Sequence, residues 1–157
     1  MNVEQKVNAI MRYIVAESDE EKKNAMEKIK RIIEPVATEK YNENMEDVIS
    51  DILFELGMPS HIRGYRYTVY AIKIATENPD ILDSITNKLY PAIAGQYGTT
   101  AIRCERSIRH AIECTWDRGS LDVFEKYFGN TISITKGKPT NSEFIARMAN
   151  IVKRKVL

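Results

Sequence analysis

Residues 99 to 119 read TTAIRCERSIRHAIECTWDRG, which places Arg103, Arg106, Arg109 and His110 within eight residues of one another. A guanidinium presents its donors in a rigid fork that fits either phosphate oxygens or the paired acceptors N7 and O6 of guanine. A helix advances about 100° per residue, so Thr99, Arg106 and His110 fall within roughly 60° of Arg103. Ala101, Cys104, Ile108, Ala111, Ile112 and Thr115 gather on roughly the opposite side, the face such a helix buries. The segment predicts a helix with an apolar back and a cationic front, in a chain whose formal net charge is only +1.

Other anion-binding groups lie nearby in sequence. Thr99 and Thr100 precede this helix as its cap, with hydroxyls that can also meet a phosphate. Lys136 and Lys138 stand just before a Thr140/Glu143 capping box, where the unpaired backbone donors of a helix start favour an anion. Catalytic chemistry has less to build on. The serines of SITNK and TNSEF have no histidine or carboxylate partner at a catalytic spacing, and neither GxxxxGK[ST] nor GxGxxG occurs. Cys104 and Cys114, ten residues apart on one helix, are separated by about 15 Å, beyond the reach of a disulfide, and read as reduced thiols. With only His61 and His110 as imidazoles, no zinc-ligand spacing is present. No enzyme activity, metal or cofactor is expected.

The chain of 157 residues, 43% hydrophobic and 29% charged, has the size and balance of one soluble domain with a real core. It carries no apolar run of the roughly 18 residues a membrane span requires, and MNVEQKVNAI lacks the layout of a signal peptide. A cytoplasmic protein without membrane contact is expected. Its charge is uneven: residues 1 to 60 hold 8 Lys and Arg against 13 Asp and Glu, and residues 61 to 157 hold 15 against 9. The basic second part suits an acidic partner.

Helices must position these groups. Val3, Val7, Ile10, Met11, Ile14 and Val15 repeat at helical spacing, and a Ser18/Glu21 capping box opens a second helix with Ala25, Met26, Ile29, Ile32, Ile33 and Val36 on one side. This predicts a helical hairpin over residues 1–44, whose two stripes have to be covered by each other, by the rest of the chain, or by a second copy. From Met45 a string of helices follows: MEDVISDILFELG ending at Gly57, RGYRYTVYAIKIATE ending at Asn78-Pro79, and SITNKLYPAIAGQYG, which Pro91 either kinks or restarts. After the arginine helix come LDVFEKYF, capped by Ser120, and SEFIARMANIVKRKVL. NTISITKGKP alone alternates like a strand, too briefly for more than a connector. Tyr65, Tyr67, Tyr70 and Trp116 are expected in the core. The fold class is all-α. Two helices joined by a short glycine-bearing turn, residues 84 to 96 bracing residues 99 to 117, make a helix-turn-helix whose second helix would enter the major groove of double-stranded DNA.

From about Ile49 to Val152 the chain resembles the DNA-binding effector domain of the stage-zero sporulation protein A family. The resemblance rests on ISDILFELGMPSHIRGYRY, on SITNKLYPAIAGQYGTTAIRCERSIRHAIECTWDRG and on FGNTISITKGKPTNSEFIA. It implies a six-helix effector domain over residues 45–157 that recognises short promoter elements and sets two copies in tandem on DNA. By position, Arg103, Glu105 and Arg106 would face base edges, and Arg109 and His110 would lie near the backbone. The wheel alone sets Glu105 roughly 160° from Arg103. Ile102 and Cys104 depart from the family's pattern of a small residue and a valine; Ile102, at the front edge, can alter a contact there, toward a thymine methyl for example. The family's full-length members carry a phosphorylatable receiver ahead of the effector. About 45 residues cannot hold that α/β fold, so no aspartyl-phosphate switch is expected. A reading of another class is a protein-interaction module, whose N-terminal helices dimerise or modulate a full-length regulator.

Overall fold

The computed structural model describes residues 3–129 and 137–156, and all of the regular secondary structure in that span is helical. The chain divides into two compact units, Met1–Glu43 and Asn44–Leu157. In the first unit, α1 spans Val3–Ile14, and α2, which runs Asp19–Glu55, begins there. The capping box at its start is formed: the Glu21 N–H donates to Ser18 Oγ at 3.2 Å and the Ser18 N–H to Glu21 Oε2 at 3.3 Å. The N–H groups of Ser18 and then Glu17, both donating to it, hold the Glu21 carboxyl below the usual carboxylate range. Sequence reasoning sets one helix over the apolar stripe after Ser18 and another from Met45. Instead α2 is one 37-residue helix that passes through Pro35 and into the second unit. Proline removes a single i→i−4 bond. The hydroxyl of Thr38 adds a bond beside it, donating to the Glu34 carbonyl at 2.7 Å.

In the second unit, the end of α2 contributes Met45, Ile49 and Leu53 to the core, and Leu56 follows just past it, all fully buried. Burying an aliphatic side chain of this size is worth about 1.5–3 kcal/mol. Gly57, at φ 84°, ends that helix in the left-handed conformation. α3 (Arg63–Glu77) then packs against α5 (Ala101–Arg118) and α7 (Asn141–Val156). Buried Thr68, Thr76 and Thr115 each donate their hydroxyl to the carbonyl four residues back, at 2.7, 2.8 and 2.7 Å. No buried side-chain polar atom among the described residues lacks a partner.

Between α3 and α5 the chain passes through a 3₁₀ segment (Pro79–Ser84) and a π-helical turn (Ile85–Leu89) into α4 (Tyr90–Tyr97). At Pro91 the chain stays helical: Leu89 and Tyr90 keep right-handed helical angles, the π-turn runs directly into α4, and the proline falls in the first turn of α4, where its missing donor is tolerated. α6 (Leu121–Phe128) follows α5, and Phe124, Phe128 and Phe144 stack in series at centroid distances of 5.8 and 5.6 Å. Ser120 occupies the cap position of α6 without a side-chain cap bond. Half-buried Trp116 meets Phe124 edge-on at 4.9 Å. Of the tyrosines expected in the core, Tyr67 is buried while Tyr65 and Tyr70 are only half-buried; Tyr97 lies against Tyr67 and Tyr70. The stretch NTISITK falls outside the described residues, and Lys136 with it.

Candidate nucleic-acid interface

α4 ends at Gly98, in the left-handed conformation at φ 60° and ψ 42°, which a side chain would strain. The N–H groups of Gly98 and Thr99 both turn back to the Ala94 carbonyl, so the chain reverses in three residues. Thr100 then caps α5, its hydroxyl accepting the Arg103 N–H at 3.3 Å. Of the two threonines only Thr100 caps by its side chain; Thr99 is half-buried in the turn. This helix, tight turn and capped second helix, packed against each other, place α5 as the second element of a helix-turn-helix.

The two faces of α5 are cleanly separated. Cys104, Ile108 and Ala111 are fully buried and Ile112 nearly so, while Arg103, Arg106, Arg109 and His110 are exposed. Burial raises the Cys104 thiol pKa, which keeps it protonated and inert. Ile102 is 62% exposed at the edge of the cationic face. Among the described residues neither Arg103 nor Arg106 takes part in an ion pair. Both are therefore free to meet an incoming acceptor.

Arg109 and Lys138 are engaged with carboxylates. Arg109 pairs with half-buried Glu105 one turn earlier. Such exposed i,i+4 pairs contribute only about 0.3–0.5 kcal/mol, and an arginine has donors to spare for a phosphate. Glu105 thus sits on the flank of α5, oriented by Arg109. Lys138 Nζ reaches Glu113 Oε1 at 2.5 Å and holds that carboxyl below its usual range. His110 lies 3.5 Å from the sulfur of Cys114 through Nε2.

One positioning device escapes sequence reasoning. Asn141, the first residue of α7, donates from Nδ2 to the Tyr90 hydroxyl at 2.9 Å and to the Glu105 carbonyl at 3.1 Å. It ties the start of α4, the second turn of α5 and the start of α7 together. Next to it Thr140 and Glu143 form the expected capping box, with bonds of 2.9 and 3.2 Å. Tyr90, Glu105, Arg109, Glu113, Lys138 and Asn141 line a cleft of about 340 Å³ along the flank of α5. The second device is Gly64 on α3, where a Cβ would lie 2.8 Å from both the Ser107 carbonyl carbon and the Ala111 Cβ. Only glycine allows α3 to approach α5 this closely. A conspicuous glycine in an apolar helix is a readable signal, but its partner element is not.

The arrangement is a rigid, capped helix with a cationic front. Among the described residues no cluster of His, Cys, Asp or Glu could hold a metal, and no helix is long and apolar enough to cross a membrane. The family model described as "Sporulation initiation factor Spo0A C terminal" matches residues 49–152, which include α3 to α6, most of α7 and the end of α2. The chain belongs to the Spo0A C-terminal domain family, a family of DNA-binding regulator domains.

Proposed function

We propose that this protein is a sequence-specific, double-stranded DNA-binding transcription regulator that reads the major groove with α5 and needs no aspartyl phosphate to do so. The observation that carries the reading is the division of α5: an arginine face without ion pairs at Arg103 and Arg106, backed by buried Cys104, Ile108 and Ala111. In this reading Arg103 and Arg106 hydrogen-bond base edges. Glu105 either accepts from a cytosine amine or, through its pair with Arg109, sets that guanidinium against the backbone. Thr99, Thr100, Arg109, His110, Lys136 and Lys138 contact phosphates. Family membership supports DNA binding by the unit as a whole. The described residues of Met1–Glu43 are helical, so an α/β receiver does not lie within them.

The test is selection of a randomised duplex pool on the full chain, followed by fluorescence anisotropy on the enriched sequence and on a scrambled duplex, without any phosphodonor. Preference of at least tenfold for the enriched duplex, falling steeply with salt as counterions are released, is the expected result. Equal binding to both duplexes would refute sequence recognition.

A further inference from the structure

The first unit has almost no interior of its own. Among its described residues the one buried hydrophobic side chain is Ala9. The clefts between α1 and the start of α2 are lined by Ala9, Arg12 and, just past the end of α1, Val15 and Ala16 on one side and by Ala25 and Lys28 on the other. The small and polar side of α1 thus faces its hairpin partner. Its large apolar side chains, Val7, Ile10, Met11 and Ile14, with Val15 just past its end, are between 45% and 67% exposed. They recur at i, i+3, i+4, i+7 and i+8, the stripe of a helix that buries one side. On α2, Met26 and Ile33 are also exposed, at 38% and 53%.

We infer that this face is the interface with a second copy of the same chain, the two hairpins closing into a four-helix bundle. Three observations favour a like partner. The exposed stripe offers on the order of 600 Å² of apolar surface per copy, close to the ~800 Å² per partner of a standard stable interface. Residues 1 to 43 hold 8 Lys and Arg against 9 Asp and Glu, so two copies do not repel; the acidic excess of the first 60 residues lies in 44 to 60, outside the hairpin. α1 carries Glu4 in its first turn and Arg12 in its last, so two copies set antiparallel about a two-fold axis bring the Glu4 end of each to the Arg12 end of the other and oppose their dipoles. The pairing is independent of how α5 reads DNA. Its consequence is that two effector units arrive together, so that the second binds at the effective concentration its tether sets.

Sedimentation equilibrium of the full chain at ten to a hundred micromolar tests the inference. The expected mass is twice 18.0 kDa. The double substitution Ile10→Glu/Ile14→Glu halves it, while near-UV circular dichroism of Trp116, in the second unit, stays unchanged. Should that variant lose its fold, Met11→Cys, at the centre of the stripe, serves in its place: mild oxidation links the chain to its copy through position 11, as mapped by peptide mass spectrometry. A monomeric parent would overturn the inference, since the face would then await a different protein. So would a dimer that survives the double substitution, or one that position 11 fails to link.

Discussion

Gly64→Ala and Gly95→Ala add the same methyl group to two helices and should act with opposite sign. At Gly64 the new carbon would sit 2.8 Å from the Ala111 Cβ and the Ser107 carbonyl carbon, and closer still to the Ser107 oxygen. Ordinary contact begins near 3.4 Å, so α5 has to retreat from α3 by more than about 0.6 Å, against a core packed at crystal density. Overpacking of this kind costs about 1–3 kcal/mol. For a unit of this size that is a fall in Tm of roughly 4–12 °C. A reading helix also has to be held within about 0.5 Å of its productive place, so selectivity for the enriched duplex should fall even at temperatures where the variant is fully folded. Gly95, inside α4, has nothing within 4 Å of such a carbon. Alanine there replaces glycine in a helix interior and should stabilise by about 0.5–1 kcal/mol, with DNA binding unchanged. Calorimetry and anisotropy on the two variants check both signs. If Gly64→Ala kept parental Tm and selectivity, the idea that the α3–α5 approach positions the reading face would be wrong.

Thr100→Ala removes the cap of α5 and should cost about 1 kcal/mol in chemical denaturation, since the Arg103 N–H loses its acceptor; an unchanged midpoint would refute the cap. Lys138→Ala removes one of the proposed phosphate contacts, and with it the partner of Glu113, so the salt dependence of DNA binding should become shallower by about 0.9 in log–log slope. An unaltered slope would show that Lys138 meets no phosphate. The Tyr127 hydroxyl donates to Glu55, and burial first, then this bond and the Glu55 charge, push its pKa up to about 12. A raised pKa in the folded state means that the stability it brings is complete below the ordinary tyrosine value near 10 and is lost as pH rises toward about 12. The gap in melting temperature between parent and Tyr127→Phe should therefore narrow across that window; a constant gap would contradict the assignment.

Features set by neighbouring residues could be read from the sequence. The faces of α5 follow from a 3.6-residue period, and the boxes at Ser18/Glu21 and Thr140/Glu143 from spacing. The Glu105–Arg109 pair was also within reach, at i,i+4, although the wheel treated Glu105 only as remote from Arg103. What could not be read depends on partners distant in sequence. Gly64 shows its purpose only against Ser107 and Ala111, and Asn141 only against Tyr90 and Glu105. The continuity of α2 misleads for another reason: Pro35 and the change of pattern near Met45 suggest breaks, but a helix tolerates one lost bond. The stripe of α1 was visible as a stripe, yet periodicity does not say whether a face turns inward or outward.

The central claim is that the front of α5 reads base edges, and Arg106→Ala tests it most directly. Anisotropy of parent and variant on the enriched and the scrambled duplex, at near-physiological salt, separates reading from simple attraction. Loss of about 1–3 kcal/mol on the enriched duplex, with a much smaller change on the scrambled one, is the predicted result. Equal weakening on both would make Arg106 a backbone contact, and no change on either would remove α5 from the interface.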